Sequence, residues 1–213
     1  MQAPAKPHRN YVSESVQQLP PSGIRRYFDI AATMDDVITL GIGEPSFTTP
    51  QHIMDGGIQS LQAGNTGYTS NSGMLELRQA VVDYISRLYN VQYKPESDVL
   101  ITVGVSEALF LAFKAILDPG DEVLVVEPCF VANAASVEMA GGKPVMVETR
   151  VENEFQVTRA DLEAHVTDRT RAILISYPNN PTGAVLERDR MQELAQFAQD
   201  HDLVVVSDEI YER

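Results

Sequence analysis

Three short stretches of the sequence combine turn-forming residues with groups that could bind a small ligand. They are TVGVSEALFLAF at 102–113, SYPNNPTG at 176–183 and VVVSDEIYER at 204–213. A glycine turn that opens a helix presents free N–H groups to an anion, and an amide in a proline-stiffened loop can donate to an oxygen. A carboxylate at the tip of a valine-rich strand needs a cationic or hydrogen-bonding partner.

Each stretch also has a purely structural interpretation. The first could be an ordinary strand–glycine–helix turn, because it lacks the GxxxxGK[ST] pattern of a phosphate-binding loop. The second could be a rigid turn, and the third could be an aspartate that caps a following helix. Taken together, they predict one ligand with a phosphate at one end, an oxygen acceptor in the middle and a protonated ring nitrogen. That is the outline of pyridoxal 5′-phosphate (PLP).

The pattern after residue 98 predicts the elements that position these groups. Strand-like runs occupy 99–103, 122–126, 144–147, 172–176 and 203–207, and helical patterns occupy 106–117, 130–140, 158–165 and 187–201. Thr158 followed by Asp161 predicts a capped helix start. Apolar strands that alternate with helices predict an α/β fold, with a three-layer, mostly parallel sheet flanked by helices. Ligands of such sheets bind beyond the carboxyl ends of the strands, where all three stretches lie.

The N-terminal third lacks this alternation of strands and helices, because turn residues interrupt it repeatedly up to about residue 73. Short helices are predicted near 23–33 and 50–61. A longer helix follows, in which apolar residues recur at helical spacing. These residues are Leu77, Val81, Ile85 and Leu88.

The composition narrows the classes of partner and compartment. The 213 residues carry a net charge of −14, which argues against nucleic acid or an anionic membrane as the main partner. Cys129 is the only cysteine, which suits a reducing cytoplasm, and the four histidines show no metal-ligand spacing. The N-terminus lacks the apolar region of a secretory signal. We therefore expect a cytoplasmic protein that binds no metal.

The chain resembles the class I/II aminotransferases, which are PLP-dependent enzymes of fold type I, like aspartate aminotransferase. Six stretches carry the resemblance in the family's order: GIGEPSFTTP, YTSNSGMLELRQAV, TVGVSEALFLAF, EPCFVANAASVEMAGGKPV, SYPNNPTG and VVVSDEIYER. The resemblance implies transfer of an amino group from an amino acid to a 2-oxo acid by a homodimer. It also implies two domains. Residues 1–73 would form an N-terminal arm and part of the small domain, with substrate and dimer loops, and residues 74–213 the PLP-binding large domain.

The resemblance assigns cofactor-binding roles to residues of the three stretches. Asp208 would pair with the pyridine nitrogen of PLP. Asn180 and Tyr211 would hydrogen-bond the phenolic oxygen of the cofactor. Val105 and Ser106, at the start of a helix, would bind its phosphate.

Further roles follow from the resemblance alone. Phe130 stands where the family stacks an aromatic ring on the cofactor, and Tyr68 matches a tyrosine that reaches the phosphate of the neighbouring subunit. Their simpler interpretations are a core aromatic and a surface aromatic. Gly43 would bring its backbone close to the substrate carboxylate, and it forms the expected substrate-binding set with Ile24 and Asn180.

The resemblance covers about the N-terminal half of such an enzyme, so the fold is expected to be incomplete at its C-terminus. The lysines of the chain are Lys6, Lys94, Lys114 and Lys143. None matches the family's catalytic position, so the Schiff-base lysine is expected beyond Arg213 and no catalytic residue is assigned within the chain. Because that lysine forms the covalent link and moves the substrate proton, we expect the 213-residue chain alone to be inactive and to bind PLP weakly.

Alternative functions remain at this point. Another fold type I reaction, such as that of a lyase or a synthase, would use the same cofactor site. The chain could instead be a non-catalytic PLP-binding module or a subunit that a second polypeptide completes. Either alternative would explain why no lysine of this chain matches the catalytic position. An NAD-binding protein is disfavoured because no GxGxxG follows any predicted strand.

Overall fold

The computed structural model describes residues 10–19, 23–38 and 47–212. Eight α-helices lie in these ranges: α1 (Glu14–Gln18), α2 (Gly23–Ala31), α3 (Gln51–Gln62), α4 (Leu75–Tyr89), α5 (Val105–Ile116), α6 (Ala132–Ala140), α7 (Arg159–Glu163) and α8 (Arg188–Asp200). The strands there are β1 (Glu122–Glu127), β2 (Lys143–Glu148), β3 (Thr170–Ser176) and β4 (Val204–Asp208). None of these helices is long and apolar enough to cross a bilayer.

The four strands form one parallel sheet in the order β2-β1-β3-β4. All four were predicted from the sequence, because each is a short apolar run bounded by turn residues. Consecutive parallel strands need a crossover, and α6, α7 and α8 lie between them in the chain. The predicted parallel sheet with flanking helices is confirmed.

The core lies on both faces of this sheet. On β1, Leu124 and Val126 face a cluster that contains Leu194 and Phe197 of α8. Side chains alternate along a strand, so their neighbours Val123 and Val125 join a second cluster with helices α5 and α6 on the opposite face. Coverage on both faces explains why the central strands β1 and β3 are continuous apolar runs rather than alternating ones.

The predicted capped helix start is also confirmed. The N–H of Asp161 donates to Thr158 Oγ1 at 3.2 Å, and the N–H of Thr158 donates to Asp161 Oδ2 at 2.9 Å. This capping box satisfies two backbone donors at the start of α7, which has only five residues and little propensity of its own.

The strand predicted at 99–103 is wrong, since this segment is irregular. A strand needs a neighbour that takes its backbone hydrogen bonds, and within the described ranges no strand lies beside it. Instead the N–H of Ile101 donates to the carbonyl of Ser72 at 3.1 Å. Gly73 permits this approach, because a Cβ there would lie 2.5 Å from Ile101 Cγ1.

The chain divides into two compact units. One combines the described parts of Met1–Pro21 and Val103–Arg213, and so contains the sheet. The other is Ser22–Thr102, which holds α2, α3 and α4, and in which the buried Arg78 donates to the carbonyl of Pro95 at 2.7 Å. The functional assignment of 1–73 and 74–213 to two domains stays a prediction.

Candidate functional site

The order of the strands opens a cleft at the carboxyl end of the sheet. After β1 the chain runs to α6 on one face, and after β3 it runs to α8 on the other. Because β1 and β3 are neighbours, the segments that follow them separate there. Such a switch in direction is where open α/β sheets bind ligands.

A cavity of about 280 Å³ lies at this cleft. Its lining residues are Val105, Ser106, Leu109, Phe130, Ser176, Asn180, Asp208, Ile210 and Tyr211. Six of the seven predicted cofactor-binding residues are among them, although they come from four separate segments of the chain. The volume is close to the lower end of the range for small-molecule sites, roughly 300 Å³.

One wall is the first turn of α5. Gly104 precedes the helix with φ 82° and ψ 170°, a conformation open essentially to glycine alone. The N–H groups of a first helical turn have no intrahelical acceptors, so Val105 and Ser106 can offer theirs to an anion. The Glu107 carboxylate accepts from the N–H of Val103 at 2.5 Å and so fixes the turn from its other side.

A second wall follows β1 and carries Phe130. Its side chain is 40% exposed and lines the cavity, so it is not a core aromatic. Cys129 precedes it and is half-buried against the cluster of α5 and α6. Burial raises the pKa of the Cys129 thiol to about 11, and the nearby negative charge of Glu127 adds to the shift.

A third wall is the loop after β3, where the structure separates two asparagines that the sequence could not distinguish. Asn179 is buried, and its amide bonds within the protein: to the carbonyls of Pro128 and Ser176, and to Thr182. Asn180 lines the cavity, and its side chain makes no hydrogen bond to any residue that the structure describes. Of these two asparagines, only Asn180 is therefore available to a ligand.

The fourth segment is the end of β4. Asp208 is partly buried, lines the cavity and accepts from the N–H of Ile210 at 3.2 Å through Oδ1. Residues 209–212 form a turn in which the N–H of Glu212 donates to the carbonyl of Glu209 at 3.0 Å. Tyr211, 45% exposed, lines the same cavity.

Three predicted site residues are not among the described residues that line this cavity. Tyr68 lies between α3 and α4 in the other compact unit, and its side chain is fully exposed. Gly43 lies outside the described residues, and so does the side chain of Ile24, whose backbone belongs to α2. Their predicted roles stay predictions.

Sequence reasoning missed Ser176, Leu109 and Ile210 as lining residues. The signal for Ser176 was its position as the last residue of a predicted strand, next to the carboxyl edge. Leu109 lies one helical turn after Val105, which places both on one face of α5. Among the described ranges, no group of three or more His, Cys, Asp or Glu side chains is placed to hold a metal ion.

The family pattern for "Aminotransferase class I and II" matches residues 35–213. The chain is 48% identical over 202 residues to the putative aminotransferase YugH of Bacillus subtilis, and 45% identical over 201 residues to an aspartate aminotransferase of Pyrococcus abyssi. The matches cover 95% and 94% of this chain but 52% of each relative.

Solved structures give the same result. The fold superimposes on a structure named Pyrococcus protein-A1 with a TM-score of 0.91 at 44% identity, over 93% of this chain and 51% of that one. It superimposes on the aspartate aminotransferase of Thermus thermophilus with maleate with a TM-score of 0.89 at 38% identity, over 96% and 54% of the two chains. The chain spans about half the length of the relatives it matches. It belongs to the class I and II aminotransferases.

Proposed function

We propose that this chain supplies the cofactor-binding part of a PLP-dependent aminotransferase that moves an amino group from an amino acid to a 2-oxo acid. The observation that carries the proposal is the cavity at the switch point of the sheet, where six predicted cofactor residues meet. A cleft with few polar groups and an aromatic wall suits a planar ring with a charged substituent.

The unused hydrogen-bonding groups of the cavity support this ligand. The first turn of α5 would bind the phosphate, because the N–H groups of Val105 and Ser106 and the positive end of the helix dipole favour an anion. The Ser106 side chain is exposed, and its hydroxyl is a further donor.

The opposite end suits the ring. Asp208 would hold a proton at the pyridine nitrogen, since a carboxylate within hydrogen-bonding reach stabilises the charged form of its partner. Asn180 and Tyr211 would donate to the phenolic oxygen, and Phe130 would cover one face of the ring and exclude water from it. When bound, PLP supplies an electron sink for the bond-breaking step at the amino-acid carbon.

No lysine lines the cavity among the residues that the structure describes. Lys143 pairs with Glu122 at the amino end of the sheet, and Lys114 donates to the carbonyl of Ala140 from within α5. Amino transfer therefore requires a lysine that is not among the described residues lining this cavity. We propose, on the family's pattern, that the lysine comes from further polypeptide. A homodimer in which Tyr68 reaches the partner's phosphate site, a substrate set of Gly43, Ile24 and Asn180, and a cytoplasmic location belong to the same proposal.

The full-length protein, assayed with an amino acid and a 2-oxo acid, tests this function. We expect stoichiometric formation of the new amino acid and the new oxo acid, dependent on added PLP. Release of ammonia or a small product without an oxo acid would instead indicate a lyase, which is the other fold type I reaction considered above.

The cavity without a lysine also favours a second candidate, a subunit that another polypeptide completes. Purification from the natural source distinguishes the two. A second chain that co-purifies and carries a lysine modified by borohydride reduction of the PLP complex would support the completed-subunit hypothesis. A single longer chain with that modified lysine would support the aminotransferase proposal directly.

A further inference from the structure

Asn179 is buried between two walls of the cavity and does not itself line it. Its Nδ2 donates to the carbonyl of Pro128 at 3.0 Å and to that of Ser176 at 3.3 Å. Its Oδ1 accepts from the Thr182 hydroxyl at 2.8 Å and from the Thr182 N–H at 3.2 Å. Two donors and two acceptor positions are the full capacity of an amide, so this side chain is completely used.

The bond to Pro128 joins segments that are 51 positions apart in the sequence. Pro128 lies two residues before Phe130, and Asn179 lies directly before Asn180. The bond therefore crosses the cleft between the segments that follow β1 and β3, close to one cavity residue on each side. We call it the Asn179 bridge.

The backbone of Asn179 also closes the loop after β3. The N–H of Asn179 donates to the carbonyl of Ala184 at 2.9 Å, and the N–H of Gly183 donates to the carbonyl of Asn179 at 2.8 Å. Thr182 accepts in turn from the N–H of Ala184 at 3.2 Å. The loop that carries Asn180 is thus fixed internally, and among the hydrogen bonds of the described residues only the bridge joins it to the segment of Phe130.

We propose that Asn179 is a positioning residue that couples Asn180 to Phe130, so that the hydrogen bond to the ligand's phenolic oxygen and the aromatic cover of its ring form together. This inference rests on the proposed function. Its physical basis is the geometry of a shared bond, because two walls held by one buried amide cannot shift independently without leaving a donor or acceptor unpaired.

Two variants and one control distinguish the effect of losing the Asn179 bridge from the effect of losing hydrogen bonds within the loop. Asn179→Ala removes the bridge. Asn179→Asp keeps an oxygen for Thr182 but turns a second oxygen toward the carbonyls of Pro128 and Ser176, where it repels them. The control Thr182→Val removes the hydroxyl bonds within the loop and leaves the bridge in place.

The test uses the full-length protein and 4′-deoxypyridoxine 5′-phosphate. This cofactor analogue lacks the aldehyde and binds without a lysine. Fluorescence titration gives its Kd, and a pH titration of the bound analogue gives the pKa of its phenolic group. We expect each Asn179 variant to weaken binding about tenfold and to raise that pKa, because Asn180 no longer stabilises the phenolate. Thr182→Val should change Kd by less than about threefold.

A double-mutant cycle provides the second readout. In the unsubstituted protein, the joint effect of Phe130→Ala and Asn180→Ala on Kd should differ from the product of their single effects. In the Asn179→Ala background the two effects should multiply. A merely structural role for Asn179 would weaken binding without removing this coupling, and would be shared by Thr182→Val.

The outcomes are distinct. Unchanged Kd and phenolic pKa in the Asn179→Ala variant, an equal loss in Thr182→Val, or coupling that survives without Asn179 would each overturn the inference. If the unsubstituted protein fails to bind the analogue, the proposed cofactor site itself is wrong and the inference falls with it.

Discussion

Ser176 and Asp208 are paired in register at the last position of the β3–β4 ladder, and both line the cavity. Leu174 and Val206 lie two residues earlier on the same two strands. Both pack in the hydrophobic cluster on the face of the sheet that α5 and α6 cover. Side chains of paired residues project to the same face, so Asp208 faces the layer in which Val105 begins α5. A register slip of one residue would turn the carboxylate to the opposite face.

The role proposed for Asp208 predicts that Asp208→Asn weakens binding of PLP. An amide cannot stabilise the protonated pyridine nitrogen as a carboxylate does, and a charge-assisted hydrogen bond contributes roughly 1.5–3 kcal/mol. We therefore expect Kd to rise about ten- to a hundredfold, measured by fluorescence titration. The neighbouring Glu209→Gln is the matched control, since Glu209 accepts from Ser207 and does not line the cavity. Equal effects of the two substitutions would count against the assignment.

The turn before α5 predicts a specific effect of Gly104→Ala. At φ 82° and ψ 170° a side chain strains the backbone by about 1–3 kcal/mol, although a Cβ there would meet no atom within 4 Å. We expect the turn to relax, and the affinity for inorganic phosphate or PLP to fall by about tenfold or more. Gly23→Ala, at an α-helical glycine with equal free space, is the control. Unchanged affinity in Gly104→Ala would show that the turn does not position the anion site.

Local patterns were sufficient to predict the four strands of the sheet and part of the cavity. The strands β1 and β3 are buried on both faces, which leaves a continuous apolar signature in a single sequence. Groups just after parallel strands meet at one edge by geometry alone, so Asn180 and Asp208 could be grouped without knowing the strand order. Phe130 was placed by the family resemblance alone.

The parts that failed depend on contacts distant in sequence. The segment 99–103 has the composition of a strand, but pairing decides its state, and the N–H of Ile101 donates to the carbonyl of Ser72 rather than to a neighbouring strand. The distinct roles of Asn179 and Asn180 depend on the carbonyl of Pro128, 51 positions away. No local pattern encodes either relationship.

The environment of Cys129 predicts low thiol reactivity. Since burial raises its pKa to about 11, the reactive thiolate is scarce at neutral pH. An unperturbed thiol has a pKa of about 8.5, so we expect alkylation by iodoacetamide near pH 8 to be about a hundredfold slower than for a free thiol, and to rise steadily up to pH 11. Mass spectrometry of timed samples measures the rate. The unfolded protein in urea is the control and should react at the ordinary rate. A rate plateau near pH 9 in the folded protein would contradict the assignment.

The amino end of the sheet predicts an acid-sensitive contact. Glu122 is buried at the start of β1 and accepts from Lys143 Nζ at 2.8 Å and from the Thr167 hydroxyl at 2.7 Å. These bonds hold the pKa of the Glu122 carboxyl below its ordinary value, and the bond from Lys143 has the largest effect. A lowered pKa in the folded state means that the stabilisation is present above the unfolded pKa, about 4.3, and is lost as the pH falls through the folded value.

Glu122→Gln should therefore lower the free energy of unfolding at neutral pH and flatten its dependence on pH in the acid range. Urea denaturation from about pH 7 to about pH 3 measures both effects. The control is Glu138→Gln, because Glu138 is exposed and makes no ion pair with any residue that the structure describes. If the unsubstituted protein and Glu122→Gln lose stability in parallel on acidification, the contact does not contribute to acid sensitivity. A flatter curve for Glu122→Gln, with an unchanged curve for Glu138→Gln, would locate that part of the sensitivity at the amino end of β1.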